Sequence, residues 1–74
     1  MKLTVKLFAT LREGRGKQLD IDIEESSSVL HVLEKLDIKK ANVSIMLVNG
    51  NNTDPATPLS DGDTLSLFPP VGGG

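Results

Sequence analysis

The residues of this chain best suited to chemistry are Phe68-Pro-Pro-Val-Gly-Gly-Gly74. Pro69 and Pro70 cannot donate backbone hydrogen bonds, so they end a strand and send the chain away in an extended, semi-rigid direction. Val71 then offers one small apolar contact. Gly72, Gly73 and Gly74 carry no side chains, so this segment can pass through a channel too narrow for any other residue. What it is expected to deliver is the α-carboxylate of Gly74. A carboxylate attacks the α-phosphorus of ATP, and the acyl adenylate so formed is an acyl donor open to sulfide, a thiol or an amine. The competing reading is a glycine run that is inert slack. A stiff diproline that launches the run and an aromatic residue beside it favour the functional reading.

No other group of residues converges on a site. Gly14-Arg-Gly16 followed by Lys17 lacks the spacing of a phosphate-binding loop and precedes a strand instead of opening a helix, so it reads as a hairpin turn. His31 has no second histidine or cysteine with which to share a ligand, and is expected at a boundary or in solvent. Asp20 with Asp22, and Asp61 with Asp63, fall where exposed strand faces and turns normally carry charge. Two matches to the N-glycosylation pattern, Asn42-Val-Ser44 and Asn51-Asn-Thr53, read as chance without a secretory signal.

Composition excludes several further classes. With no cysteine among 74 residues, disulfides, thiolate metal sites and cysteine nucleophiles are ruled out, and a reducing, cytoplasmic setting is expected. A net charge of -2 provides no electrostatic footprint for nucleic acid or an anionic membrane surface. The first residues alternate instead of forming a charged head and an apolar stretch, so no signal peptide is expected, and no run is long enough to span a bilayer.

The elements that must position the tail follow from periodicity. Leu3, Val5 and Leu7 alternate with Lys2, Thr4 and Lys6, the period-two signature of a half-buried strand. After the Glu13–Gly16 turn, Leu19, Ile21 and Ile23 alternate with Asp20, Asp22 and Glu24, which completes an amino-terminal hairpin. Ser26-Ser-Ser28 supplies capping hydroxyls for a helix in which Val29, Val32, Leu33 and Leu36 form the apolar stripe, flanked by Leu30. Val43 to Val48 reads as a buried strand that leads into a tight turn at Asn49-Gly50. A long turn-rich stretch, Asn51 to Asp63, then precedes a last strand over Thr64 to Phe68, with Leu65 and Leu67 facing the core and Phe68 on the outer or rim side. Hairpin, helix, strand, turn-rich connection and strand make an α+β domain. With the helix crossing one face of a mixed sheet, this is the ubiquitin-like β-grasp, expected over residues 1–68 with residues 69–74 as a flexible tail.

Three segments, "LFATLRE" at Leu7 to Glu13, "LVNG" at Leu47 to Gly50 and "PLSDGDTLSLFPPVGGG" at Pro58 to Gly74, resemble the MoaD/ThiS family of ubiquitin-like sulfur carriers. The terminal block is the specific part. The resemblance implies a carrier without catalytic activity of its own, whose C-terminal glycine is adenylated by an E1-like enzyme of the MoeB/ThiF type and converted to a thiocarboxylate. Gly74 would bear the sulfur, Gly72 and Gly73 would thread the tail, and Phe68, Pro69, Pro70 and Val71 would dock its root on partners. Those partners are the activating enzyme, which uses ATP, a sulfur donor, and a sulfur-accepting enzyme, either a molybdopterin synthase large subunit or a thiazole synthase. No cofactor or metal is expected on the chain itself. "LFATLRE" and "FPPV" resemble the molybdopterin branch, whereas the triple glycine is similar to many carriers for the thiamine thiazole. A carrier for another sulfur product or a tungsten-type pterin, a lysine-conjugating modifier, and a binding module with an idle tail stay open.

Overall fold

The computed structural model of the chain describes residues 1–70; Val71, Gly72, Gly73 and Gly74 lie outside the described residues. Its strands are β1 (Lys2–Leu7), β2 (Gln18–Asp22), β3 (Ile45–Val48), β4 (Asn51–Asn52) and β5 (Thr64–Phe68), and its helix is α1 (Val29–Lys35). Short 3-10 turns occupy Ala9–Arg12 and Lys40–Asn42. The sheet runs in the order β2-β1-β5-β3-β4, with β1 and β5 parallel at its centre. The other pairings are antiparallel.

Register explains the core. Val5 faces Leu19 on one side and Leu65 on the other, and Leu7 faces Leu67, so the buried members of β1 and β5 fall on one face. Val29, Val32 and Leu33 of α1 cover that face, and all three are fully buried, as are Val5, Leu7, Leu65 and Leu67. Leu11, Ile38, Val43 and Leu59 close the core from loops, where no periodicity advertises them. Leu19 and Ile21 are only half-buried, because β2 is an edge strand.

One expectation needs correction. The apolar run Val43 to Val48 is not one buried strand: β3 begins at Ile45, which is 46% exposed, while Val43 belongs to the core from the end of a 3-10 turn. Alternation persists inside the run, and the helix covers only one of the sheet's faces. Asn51 to Asp63 is turn-rich as expected, and within it Asn51 and Asn52 pair with Val48 and Leu47 as β4. Two polar residues carry no hydrophobic period, so this strand is set by the turn before it. Asn49 and Gly50 both take positive φ, 51° and 85°, the geometry of a two-residue hairpin turn.

That turn is clasped to the one before β5. The Asn49 side chain donates from Nδ2 to Asp63 Oδ1 at 2.9 Å and accepts the Thr64 N–H at 2.9 Å. Asp63 Oδ2 accepts the Ser60 N–H at 2.8 Å, and Asp61 Oδ1 accepts the Lys2 N–H at 2.6 Å. The polar turn residues thus fix where β5 starts relative to β1 and β3.

Two outcomes test this account by thermal or chemical denaturation. Leu33→Ala should cost about 2–5 kcal/mol by leaving a cavity under the sheet, enough to unfold much of a domain this small. Asn49→Ala should cost about 1–3 kcal/mol, since it removes the clasp and places a poorly suited residue at positive φ.

Candidate functional site: the root of the tail

β1 and β5 run in parallel and end together, so the residues that follow Leu7 and Leu67 meet. Phe8 donates its N–H to the Leu67 carbonyl at 3.2 Å. Because Leu7 and Leu67 both point into the core, Phe8 and Phe68 both emerge on the uncovered side. Their rings stack with centroids 4.1 Å apart and planes 9° from parallel. Immediately afterwards Ala9 takes a φ of 52°, turning the chain into the 3-10 segment that carries Arg12. Arg12 donates from Nε to the Leu7 carbonyl at 2.8 Å, and its guanidinium lies 5.4 Å from the Phe8 ring centre. A cation thus packs on Phe8, which packs on Phe68, the last residue of β5.

Ile45 pairs with Phe68 across β3 and extends this apolar row. The Ser44 N–H binds the Phe68 carbonyl at 2.8 Å, so the strand is held to its final residue. Pro69 is half-buried and Pro70 exposed. Both border a groove of about 630 Å³ that includes Thr10, Leu11, Arg15 and Ile38. Arg15 fixes one wall by donating from Nη2 to the Asp37 carbonyl at 3.1 Å and from Nε to the Leu36 carbonyl at 3.3 Å. It caps the carboxyl end of α1, where positive charge is favoured.

Phe68, Pro69 and Pro70 are therefore brought together at one end of the sheet, while Val71, Gly72, Gly73 and Gly74 lie outside the described residues. The remaining candidates have structural roles. His31 is exposed and accepts the Ser28 backbone N–H on Nδ1 at 2.9 Å, completing a capping box at the start of α1. Gly14 and Gly16 take positive φ in the β1–β2 connection, as a turn requires. Asp20 accepts from the Thr4 hydroxyl at 3.3 Å, and Asp61 and Asp63 tie turns. Among the described residues no cluster of histidine and carboxylate side chains could hold a metal ion.

Residue-by-residue reading missed Phe8 and Arg12 as parts of this site. A signal existed. The chain's only two phenylalanines each follow a core leucine at a strand end, as Leu7-Phe8 and Leu67-Phe68. Only parallel pairing in register makes that coincidence a contact.

Comparison with known proteins agrees with this geometry. The model of the ThiS family matches residues 5–74. The chain belongs to the ThiS family. The expected likeness to the MoaD/ThiS carriers and the β-grasp fold are thereby established. This ThiS-family chain is 30% identical to small archaeal modifier protein 3 of Haloferax volcanii, over 100% of both chains. It is similar to the crystal structure of SAMP1 from Haloferax volcanii, with a TM-score of 0.82 and 26% identity over 100% of both chains. It also resembles a chain of the complex of subunits 1 and 2 of molybdopterin-converting factor from Helicobacter pylori, with a TM-score of 0.65 and 27% identity over 100% of both chains.

If the stack is a real interaction, a double-mutant cycle over Phe8→Ala and Phe68→Ala should give a coupling energy of about 0.5–1.5 kcal/mol in denaturant unfolding. Strict additivity would show that the rings merely lie near each other.

Proposed function

We propose that this protein is a sulfur carrier whose Gly74 carboxylate is activated and thiolated by partner enzymes, most directly for molybdopterin. In the first step the carboxylate oxygen attacks the α-phosphorus of ATP on an E1-like enzyme, forming the acyl adenylate and releasing pyrophosphate. The terminal sulfur of a persulfide donor then displaces AMP to form an acyl disulfide. Attack by a second thiol breaks its S–S bond, leaving a disulfide on the donor side and the thiocarboxylate on Gly74. That group is handed to a sulfur-accepting enzyme. The chain supplies no acid, base or metal for these steps. Its part is to present an unobstructed glycine end, and Phe8, Phe68 and Arg12 provide a rigid root from which Pro69 and Pro70 launch it.

The observation that carries the reading is the family match, which runs through the glycine block to residue 74. Molybdopterin is favoured by the likeness to a chain from a complex of subunits 1 and 2 of molybdopterin-converting factor. The name of the ThiS family keeps the thiamine thiazole as an alternative. A second reading, conjugation to lysine through an isopeptide bond, is favoured by the 30% identity to small archaeal modifier protein 3. One activated glycine serves both, since a sulfur nucleophile or an amine can attack the same adenylate.

Intact mass after incubation with an E1-like enzyme, ATP, a persulfide donor and a thiol reductant should rise by the difference between sulfur and oxygen, localised to Gly74. No change, with an enzyme that charges another carrier under the same conditions, would sink the proposal. Conjugates that withstand thiol treatment would establish the modifier reading. Adding a residue after Gly74 should abolish activation and leave the melting temperature unchanged. Phe68→Ala should weaken binding to the activating or sulfur-accepting partner by about tenfold or more, as loss of a central aromatic anchor does, while the domain stays folded.

A further inference from the structure

At the other side of the sheet, β2 ends the strand order, and among the described residues no strand pairs with its outer edge. Which of its backbone groups face outward follows from the ladder. Leu7 donates its N–H to the Lys17 carbonyl at 2.9 Å, Ile23 donates to the Met1 carbonyl at 3.0 Å, and the Met1 amino group donates to the Ile23 carbonyl at 2.7 Å. In an antiparallel pair such positions alternate. The N–H and C=O groups of Leu19 and Ile21 therefore turn toward β1, and those of Gln18, Asp20 and Asp22 turn outward. All three of these residues are exposed.

Beyond Asp22 the same edge opens into a cavity of about 710 Å³ between the strand and α1, lined by Ile23, Glu24, Glu25, His31 and Lys35. Half-buried Ile23 supplies an apolar wall, and Asp22, Glu24 and Glu25 put three carboxylates on the rim, with Lys35 and the imidazole of His31 on the helix side and the Met1 ammonium and Lys2 on the β1 side, away from the open edge. The edge thus combines unpaired ladder groups, a place for an anchoring side chain and negative charge.

These features select among occupants. A second copy is disfavoured in the register of fullest overlap and in the one shifted towards Asp22. Antiparallel self-pairing centred on Asp20 sets Asp20 opposite its own copy, and pairing centred on Ile21 sets it opposite Asp22, with like charges directly across the ladder. A strand of opposite charge meets no such penalty. We propose that β2 takes an additional strand from a protein partner, an extended segment with Lys or Arg at alternate positions and an apolar residue seated against Ile23. Main-chain hydrogen bonds provide the attachment and the acidic residues the selection.

The location gives this surface a use of its own. The cavity lies beside Met1, at the start of β1, whereas Phe8 and Phe68 lie at the other end, about 20 Å away for a strand of this length. A partner on β2 therefore leaves the tail root free, so the carrier can be held by one protein while its tail serves another. This inference does not depend on whether the tail carries sulfur.

The test is an NMR titration of the isotopically labelled full chain, at low ionic strength, with a short blocked peptide alternating lysine with valine. Amide shifts should change at Gln18, Asp20, Asp22 and Ile23, and the same peptide with glutamate for lysine should bind about tenfold more weakly or less. In Asp20→Lys/Asp22→Lys the preference should invert; the wild-type comparison of the two peptides stands even if that variant folds poorly. Equal response to both peptides, shifts confined to the Phe8, Ile45 and Phe68 face, or no shift at millimolar peptide would overturn the proposal. Concentration-dependent shifts at the same β2 amides without peptide would assign the edge to a second copy and overturn it too.

Discussion

The parallel pairing of β1 with β5 is the contact on which everything else rests. It joins the two most distant parts of the described chain at the centre of the sheet, and its register puts Leu7 beside Leu67 and Val5 beside Leu65 under the helix. A parallel pair cannot be closed by a hairpin, so the whole intervening chain must cross over between its two strands. α1 lies in that crossover and covers the resulting apolar face. Stability and topology therefore share one cause, the burial of a few leucines and valines from strands that cannot find each other locally.

The same register creates the candidate site. Strand parity sends the residue after each core leucine to the uncovered side, which is why two phenylalanines from opposite ends of the chain stack face to face. Arg12 joins them because the chain reverses at Ala9 immediately after β1. No reactive group results. The arrangement is a rigid platform, and that suits a family of small ubiquitin-like carrier proteins. Precision in such a carrier is needed where the tail departs, and there the β5 carbonyl of Phe68 is held by Ser44 and its ring by Phe8.

Polar residues set the frame around this centre. Asn49 and Asp63, from turns that look ordinary when taken singly, bond each other and the first amide of β5. Arg15, from a loop with no apparent role, holds the carbonyls of Leu36 and Asp37 just beyond the last turn of the helix. Each satisfies groups that would otherwise be stranded at the end of an element.

The sequence by itself determined the hairpin, the helix stripe, the last strand and the outward side of Phe68, because period-two and helical spacing are local and strong in those segments. It also placed the chain near its family through the terminal block. Only the tertiary structure decided that Phe8 and Arg12 belong beside Phe68, that Ile45 is exposed, that Asn51 and Asn52 form a strand, and that Leu11, Ile38, Val43 and Leu59 are core. Those facts depend on contacts between residues far apart in the chain, and on which face the helix covers. Local patterning carries no record of either.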